Sequence, residues 1–281
     1  MKKFVVILGV GYKSSTNDVV INENVFLSRD VKINIGAACA HQLAAKGHDL
    51  IIISRSQRKL DIIKKGLNEL FPDRTINAVA LDVLDSKQVN SFFEMLDPSY
   101  EYAYIHSAGL GAGGYQIKDN NPYLAIEDIP IDLPTMEFEV VVKSLLSLVR
   151  GFLPFFKRQA KAKVIVVNSM SGIRPYPLGF SHSSAKAGLH NAVRSLTLEL
   201  NKENIFFSEV NPGMVDTGHY DDKSVIDSIN MISKEFGYSY EKLPQMSPYE
   251  VGDAVRMCLE STAHILTVDM VSEGQIPHIG A

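Results

Sequence analysis

The chain has 281 residues, with 28 basic and 32 acidic side chains and a formal net charge of −4. Its 46% hydrophobic and 21% charged residues are an ordinary globular mixture, sufficient for one large α/β domain with a sizeable core. The acidic balance and the lack of a long basic run argue against nucleic acid or an anionic membrane as the main partner, and no apolar run of about 18 residues predicts a membrane span.

Three local features argue against a disulfide-linked protein, a secreted protein and a metal-binding protein. Cys39 and Cys258 lie far apart in helical patterns, so we expect no disulfide and a reducing, cytoplasmic location. The run 4–8 follows two lysines, as in a secretion signal, but Gly9 ends it without a small-residue cleavage site. The run 4–8 therefore predicts a buried first strand. The eight histidines show no paired-ligand spacing, and we expect no metal site.

Short β-rich runs alternate with helical patterns along the chain. The β-rich runs predict strands at 4–8, 50–53, 76–81, 102–105, 164–167, 205–210 and 265–270. The helical patterns predict helices at 35–45, 58–71, 89–96, 134–156, 182–200 and 247–260. This alternation predicts one domain over residues 1–281, with a doubly wound parallel sheet in three α/β/α layers. Such sheets bind ligands at the carboxyl ends of their strands, near the switch in strand order.

The first predicted strand leads into Gly9 and Gly11, a candidate phosphate loop. A glycine-rich turn of this kind normally runs straight into a helix whose amino end holds a pyrophosphate. Here residues 10–33 intervene before Asn34-Ile35-Gly36 and the small-residue helix that follows. The pattern is compatible with a nucleotide site, and equally with an ordinary turn and core helix.

Arg55 follows the second predicted strand. An acidic residue at this place would accept hydrogen bonds from an adenosine ribose, whereas Ser54 and Arg55 suit a 2′-phosphate. Arg58 and Lys59 add positive charge nearby. The alternative interpretation is the solvated, basic start of a helix.

Three later strands also end in motifs typical of ligand contact. Asp82-Val83 could contact an adenine edge, or Asp82 could cap the helix that starts near Asp85. Ala108-Gly109 lacks a large side chain and would let a ligand approach the backbone. Asn211-Pro212-Gly213…Thr217 follows the sixth strand. Turn chemistry explains each motif alone, but their joint placement favours a ligand site.

The segment from Ser169 to Lys186 completes a family resemblance. It contains Ser169-Met170-Ser171-Gly172, His182 and Ser183-Ser184-Ala185-Lys186. With the motifs above, it resembles the short-chain dehydrogenase/reductase family over nearly the whole chain. The resemblance implies a Rossmann-type fold and hydride transfer between a nicotinamide cofactor and a carbonyl or hydroxyl group of a small molecule.

The resemblance also implies residue roles. Ser169 would hold the substrate oxygen, Lys186 the nicotinamide ribose, and Arg55 would favour NADP(H) over NAD(H). The implied cofactor-binding residues are Gly9, Gly11, Asn34, Ile35, Gly36, Arg55, Asp82, Val83, Ala108, Gly109, Lys186, Pro212, Gly213 and Thr217. Segments 109–134 and 217–246 would lie on the substrate side. The resemblance further implies a homodimer or homotetramer.

The chain departs from the family at the residues that move protons. At unchanged spacing, His182 stands where the family has tyrosine, and His106-Ser107 stands where it has paired asparagines. The helical asparagine of the family is absent at both candidate positions, Val141 and Lys143. The expected proton-transfer residue is therefore His182.

Imidazole titrates near pH ~6.5, so His182 could transfer a proton at neutral pH. Its far nitrogen reaches roughly 2 Å less than a phenol oxygen. A misplacement of ~1 Å can cost about 100-fold in rate. Tyr176, Tyr115 or Tyr220 could supply a substitute hydroxyl from a loop.

Three hypotheses for function follow from these residues. The first is an NADP(H)-dependent oxidoreductase that uses Ser169, His182 and Lys186 on a small carbonyl or hydroxyl compound. The second is a non-redox or catalytically impaired protein on the same scaffold, such as a cofactor-binding partner, a cyclase or a dehydratase. In the third, the insertion 10–33 fills the pyrophosphate site and no nucleotide binds. Alternatively, the insertion loops outward, and Lys13 and Ser14 reach the phosphates.

Overall fold

The computed structural model describes residues 3–14, 23–110, 121 and 123–275. Its strands, in chain order, are β1 (Lys3–Leu8), β2 (Tyr12–Ser14), β3 (Val31–Ile33), β4 (Asp49–Ser54), β5 (Ile76–Ala80), β6 (Glu101–His106), β7 (Ala162–Val167), β8 (Ile205–Pro212) and β9 (Thr267–Met270). Its helices are α1 (Ile35–Ala45), α2 (Gln57–Leu70), α3 (Ser86–Glu94), α4 (Leu133–Phe138), α5 (Ser144–Phe156), α6 (Phe180–Leu200), α7 (Lys223–Lys234) and α8 (Pro248–Glu260).

The main sheet has the order β5-β4-β1-β6-β7-β8-β9, and every pairing in it is parallel. β1 lies between β4 and β6, so that Val6 pairs with Ile51 on one side and Tyr104 on the other. The chain therefore winds outward from β1 in both directions, with helices on both faces. This confirms the predicted doubly wound, Rossmann-type sheet and places the switch in strand order between β1 and β6.

The alternation of side chains along β1 explains its continuous apolar sequence. Val5 and Ile7 pack on the face covered by α1, α2 and α8. Phe4, Val6 and Leu8 pack on the opposite face, against α3, α5 and α6. Because both faces are buried, successive positions are all apolar instead of alternating with polar residues.

The start of the predicted helix 247–260 and the two cysteines have the following surroundings. Ser247 is the N-cap of α8, its side chain forms a reciprocal capping box with Glu250, and Pro248 occupies the first turn. Cys39 and Cys258 are both buried and free. In the described part of the chain, no helix has the length and apolar character needed to cross a membrane.

One predicted helix differs in the structure, and two further features were not predicted. The segment 134–156 is not one regular helix, because a π-helical turn, Glu139–Lys143, joins α4 to α5. Residues 217–246 contain α7, whose buried side chains pack with Leu243 in a small separate cluster. The antiparallel hairpin β2–β3 lies within the inserted segment. Its strands have three residues each, too few to show a hydrophobic period.

Candidate active site at the carboxyl edge of the sheet

Three backbone segments meet at the switch in strand order. Gly9 follows β1 with a φ of +88°, and a Cβ atom on it would lie 2.1 Å from the Ser107 carbonyl oxygen beyond β6. A Cβ atom on Gly36, in the first turn of α1, would lie 2.5 Å from the Gly9 carbonyl oxygen. Only glycine fits at both positions, because any side chain would collide with backbone.

Asn34 joins the interrupted glycine turn to α1. Its Nδ2 donates to the Gly9 carbonyl at 2.7 Å, and its Oδ1 accepts from the N–H groups of Gly11 and Ala37 at 3.0 and 2.9 Å. Asn34 is therefore the N-cap of α1, and it also connects the two ends of the insertion. The N–H groups of Ile35 and Gly36 have no acceptor among the described residues and remain available at the amino end of the helix.

The described parts of the insertion lie in two places. Asn24 bonds to Gly66 and Glu69 of α2 at 2.9 and 3.0 Å, and the Phe26 ring lies 5.2 Å from the His41 ring of α1. These residues therefore cover α1 and α2 and do not pack at the amino end of α1. Residues 15–22 are outside the described part of the chain.

The other part of the insertion is the hairpin β2–β3. Lys13, on β2, donates to the Gly218 carbonyl at 2.6 Å. Lys32, on β3, forms ion pairs with Asp216 at 2.6 Å and Asp221 at 2.7 Å. The hairpin is thereby bound to the loop that follows β8, which contains Thr217.

Arg55 and Asp82 lie at the ends of β4 and β5. Arg55 is exposed. The Asp82 carboxylate accepts from the Leu84 N–H at 3.0 Å, and Val83 beside it is half-buried. The N-cap of α3 is Asp85, so the alternative interpretation of Asp82 as that cap is wrong.

A hydrogen-bond network holds the backbone around Lys186. Asn168 Nδ2 donates to the Lys186 carbonyl at 3.1 Å and to Glu209 Oε1 at 2.6 Å. The other Glu209 oxygen lies 2.7 Å from His190 Nδ1. These bonds connect β7, α6 and β8. Lys186 is only 7% exposed; burial lowers the pKa of its ammonium to about 8, and the charges of Glu137 and Glu209 oppose that shift.

His182 lies one turn before Lys186 on α6, beside the buried carboxylate of Glu137 on α4. The distance from His182 Nδ1 to Glu137 Oε2 is 3.8 Å, and the Glu137 side chain is 4% exposed. The His182 side chain is 32% exposed, and it lines a cavity. Burial lowers the pKa of His182, as do the positive charges of Lys186 and His219. The Glu137 carboxylate favours the protonated form of His182, but the net effect is a lowered pKa. The imidazole is therefore neutral at neutral pH.

His106 is buried behind the site, where its hydrogen bonds hold neighbouring elements together. It is fully buried at the end of β6, where its Nε2 donates to the Val141 carbonyl at 2.9 Å and its Nδ1 accepts from the Tyr104 hydroxyl at 2.7 Å. Burial, with a smaller contribution from Lys186, lowers the pKa of His106 to about 3. The Val141 carbonyl belongs to the π-helical turn, so His106 connects β6 to the junction of α4 and α5.

A cavity of about 160 Å³ opens beside Ser169 and His182. Its walls are mostly apolar and aromatic, with Arg174 as the charged side chain among the described residues that line it. The aromatic and aliphatic walls come partly from the two segments expected on the substrate side, which contribute Tyr123, Tyr220, Ile229, Ile232 and Phe236. A larger open depression, about 610 Å³, lies along α8 and contains none of the site residues predicted from the sequence.

Three tyrosines meet in this cavity. Tyr123 is hydrogen-bonded through its hydroxyl to Tyr176 and Tyr220, and the rings of Tyr123 and Tyr176 lie 5.6 Å apart. Burial raises the pKa of all three phenols, so each stays protonated at neutral pH. Tyr176 and Tyr220 thus lie beside Ser169 and His182. Tyr115 is outside the described residues.

The loop after β8 forms the floor of the cavity. Gln275 lies against Gly213, where a Cβ atom would come within 2.4 Å of Gln275 Oε1. The same oxygen accepts from the Met214 N–H at 2.9 Å. Pro212 ends β8, and the N–H of Thr217 donates to the Val215 carbonyl at 2.8 Å.

Sequence reasoning missed Glu137 and gave Gln275 no role in the site, whereas Tyr123 lies in the segment 109–134 that was expected on the substrate side. One signal for Glu137 was present, because it falls in the buried helical series with Leu133, Val141 and Leu145, where a carboxylate is exceptional. Within the described residues, no group of three or more histidine, cysteine or acidic side chains is arranged to hold a metal ion.

Sequence comparison relates the chain to known proteins. The family profile described as short chain dehydrogenase matches residues 33–225. A protein of Staphylococcus epidermidis named as an uncharacterized oxidoreductase is 23% identical over 199 residues, which cover 70% of this chain and 80% of that protein.

Solved structures share the fold. An alcohol dehydrogenase from the archaeon Thermococcus sibiricus, complexed with 5-hydroxy-NADP, has a TM-score of 0.73 and 22% identity over 99% of both chains. An NADPH-bound short chain oxidoreductase from Pseudomonas aeruginosa PAO1, described as containing an atypical catalytic center, has a TM-score of 0.71 and 20% identity. That match covers 97% of this chain and 96% of the other.

Proposed function

Since this chain belongs to the short-chain dehydrogenase family, a family of NAD(P)-dependent oxidoreductases, we propose that it uses NADP(H) to interconvert a hydroxyl and a carbonyl group on a small molecule. The observation that carries the proposal is the convergence of Ser169, His182 and the Gly213-Met214 backbone on one cavity at the carboxyl edge of the sheet. The cofactor would supply the nicotinamide ring that accepts or donates hydride. The residues of this chain bind it, hold the substrate oxygen and move the proton.

The switch in strand order fits a dinucleotide. The contact of Gly36 with Gly9 leaves no room for side chains there. The unbonded N–H groups of Ile35 and Gly36 lie at the positive end of the α1 dipole, which favours a pyrophosphate. A Cβ atom added to Gly109 would meet no described residue within 4 Å, so among the described residues nothing blocks a ligand from this stretch of backbone.

The preference for NADP(H) rests on Arg55. Its guanidinium has no hydrogen-bond or ion-pair partner among the described residues, and it lies where β4 ends beside the switch in strand order. A planar, permanently charged guanidinium suits a 2′-phosphate. The two solved structures named above, which hold 5-hydroxy-NADP and NADPH, support this preference at the level of the fold.

Ser169 is suited to hold the substrate oxygen. Its Oγ accepts from the N–H of Ser171 at 3.2 Å and from the Ser171 hydroxyl at 2.9 Å. The hydrogen of the Ser169 hydroxyl has no acceptor among the described residues. It can therefore donate to an oxygen bound in the cavity.

His182 is suited to accept a proton. In the oxidising direction, the neutral imidazole takes the proton of the substrate hydroxyl while hydride leaves the carbon that bears it. The lowered pKa of His182 keeps the imidazole in the form that this step requires. In carbonyl reduction the same step runs in reverse, and the His182 imidazolium returns the proton to the substrate oxygen.

The tyrosine hydroxyls can assist the same proton transfer in both directions. Tyr176 and Tyr220 line the cavity and remain protonated at neutral pH. Tyr176→Phe should lower kcat/KM by about 10- to 100-fold equally in both directions, because oxidation and reduction pass through the same transition state. An unchanged kcat/KM in both directions would show that Tyr176 only shapes the cavity.

Titration with cofactor is the first test. Purified protein is titrated with NADPH and with NADH, and binding is followed by cofactor fluorescence and by melting temperature. We expect NADPH to bind more tightly. The bound protein is then assayed on a panel of carbonyl and alcohol compounds at several pH values. No binding of either cofactor at ~1 mM, a weak affinity of about 4 kcal/mol, would overturn the proposal; so would NADPH binding without any turnover.

A non-redox function on the same scaffold is the second candidate. It is favoured by the lowered pKa of His182, which leaves little imidazolium at neutral pH and makes the imidazole a weak base, and by the shorter reach of imidazole. His182→Tyr discriminates between the two. Reductase activity that arises only in this variant would favour the second candidate, whereas loss of an existing activity would support the first.

A further inference from the structure

We propose that Glu137 is the positioning residue for proton transfer at His182: its carboxylate faces Nδ1, directs Nε2 into the cavity, and stabilises the imidazolium formed when Nε2 accepts the substrate proton. This inference rests on the proposed function for its catalytic part. It assigns a role to a buried group that the family resemblance does not account for.

The burial of Glu137 is the first argument. The residue is 3% exposed and lies on α4 in the helical series that packs into the core. Removing a carboxylate from water costs several kcal/mol unless nearby positive charge compensates it. A helix interior of this kind normally carries an apolar residue at such a position. The position therefore requires a compensating charge, and that charge lies on α6.

The titratable groups around Glu137 lie close enough to influence one another's protonation. His182 and Lys186 are on α6, Tyr176 is on the loop before it, and His219 is on the loop after β8 and acts on His182. The Glu137 charge favours the protonated form of Lys186 and of the Tyr176 phenol. Glu137 is thus the carboxylate shared by the proton-carrying groups around the cavity.

The distance between Glu137 and His182 suits a pair that closes during the reaction. At 3.8 Å, Oε2 and Nδ1 face each other just beyond hydrogen-bond distance, so a small movement of the ring brings them into contact. When Nε2 takes a proton from the substrate hydroxyl, the ring becomes a cation, and a charge-assisted hydrogen bond to the carboxylate becomes favourable. The proton passes from substrate oxygen to Nε2, and Glu137 itself gains none.

The test compares three variants. Glu137→Gln removes the charge and keeps the shape, and Glu137→Leu removes the acceptor as well; an apolar replacement at a buried charge is often tolerated. Glu139→Gln is the matched control, because Glu139 lies two residues along the same helical stretch and pairs at the surface with Lys143. Melting temperatures and NADPH binding identify any variant that fails to fold.

For turnover, we expect Glu137→Gln to lower kcat for alcohol oxidation by about 100-fold, within the usual contribution of general acid–base catalysis. KM and the Kd for NADPH should stay within about threefold. The pH profile should move to lower pH, because loss of a negative charge disfavours the protonated forms of His182 and Lys186. Glu139→Gln should match the wild type. An unchanged kcat and pH profile in Glu137→Gln would overturn the proposal.

A second measurement does not depend on activity. The ¹⁵N NMR shifts of the His182 ring at neutral pH report which nitrogen carries the proton. We expect the Nδ1–H tautomer in the wild type and a shift towards Nε2–H in Glu137→Leu. The same tautomer in both proteins would overturn the positioning role. If the wild type binds NADPH without turnover, the proposed function fails, and the tautomer still decides whether Glu137 positions His182.

Discussion

Lys13 Nζ donates a 2.6 Å hydrogen bond to the carbonyl oxygen of Gly218, and so joins the hairpin after β1 to the loop after β8. Two strands, β6 and β7, separate β1 from β8 in the sheet. The contact therefore crosses the carboxyl edge where the candidate cofactor site lies. Lys32 reinforces it through Asp216 and Asp221.

This contact predicts that the hairpin and the loop open together. In the double variant Lys13→Met and Lys32→Met, we expect amide hydrogen exchange to accelerate roughly fivefold in both segments, because exposed pairs of this kind contribute about 1 kcal/mol. Lys65→Met is the control, since its pair with Glu69 lies within α2. Acceleration confined to one segment would show that the two open independently.

Gly36→Ala should destabilise the fold. Its new Cβ atom would lie 2.5 Å from the Gly9 carbonyl oxygen, and backbone on both sides leaves little room to relax. We expect a loss of about 2–3 kcal/mol in the free energy of unfolding, measured with urea. Gly109→Ala is the matched control, because its Cβ atom would meet nothing within 4 Å in the described part of the chain. Similar stability of the two variants would mean that the contact between Gly36 and Gly9 is looser than described.

Arg55→Ala should weaken NADPH binding selectively. Loss of a charged hydrogen bond to the 2′-phosphate should raise the Kd for NADPH by about 10-fold or more, while the Kd for NADH stays unchanged. Arg150→Ala, at an exposed position on α5, should alter neither value. An equal effect on both cofactors would assign Arg55 to general electrostatic attraction.

Acid should destabilise the protein through His106. Its folded-state pKa of about 3 lies below the ordinary value of 6.5, so the unfolded chain binds a proton that the folded chain does not. Stability is therefore retained above pH ~6.5 and lost as the pH falls towards 3. This group alone should cost about 2 kcal/mol between pH 7 and pH 5.

His106→Gln tests this assignment, since glutamine can still donate to the Val141 carbonyl. Free energies of unfolding are measured at pH 7 and pH 5 for both proteins. We expect the difference between the two pH values to be about 2 kcal/mol smaller in the variant. An equal difference in both proteins would place the acid sensitivity at other groups.

The fold could be predicted from the sequence because local patterns of apolar residues determine its strands and helices. Apolar runs and helical periods located all seven strands of the main sheet and the helices beside them. The motifs after successive strands indicated one edge of the sheet, because parallel strands align their carboxyl ends. Asn34 is an instructive case: its N-cap role follows from residue type, but its bond to Gly9 depends on how the insertion closes.

The sequence by itself determined the sheet, the order of its motifs and the presence of His182 at the spacing of Ser169 and Lys186. Only the tertiary structure placed Glu137 beside His182, gathered Tyr123, Tyr176 and Tyr220 in one cavity, and joined Lys13 to Gly218. The physical reason is the range of the interactions. Periodicity and capping arise between residues a few positions apart, whereas burial, charge compensation and cavity shape arise between segments that meet only when the sheet and its helices pack.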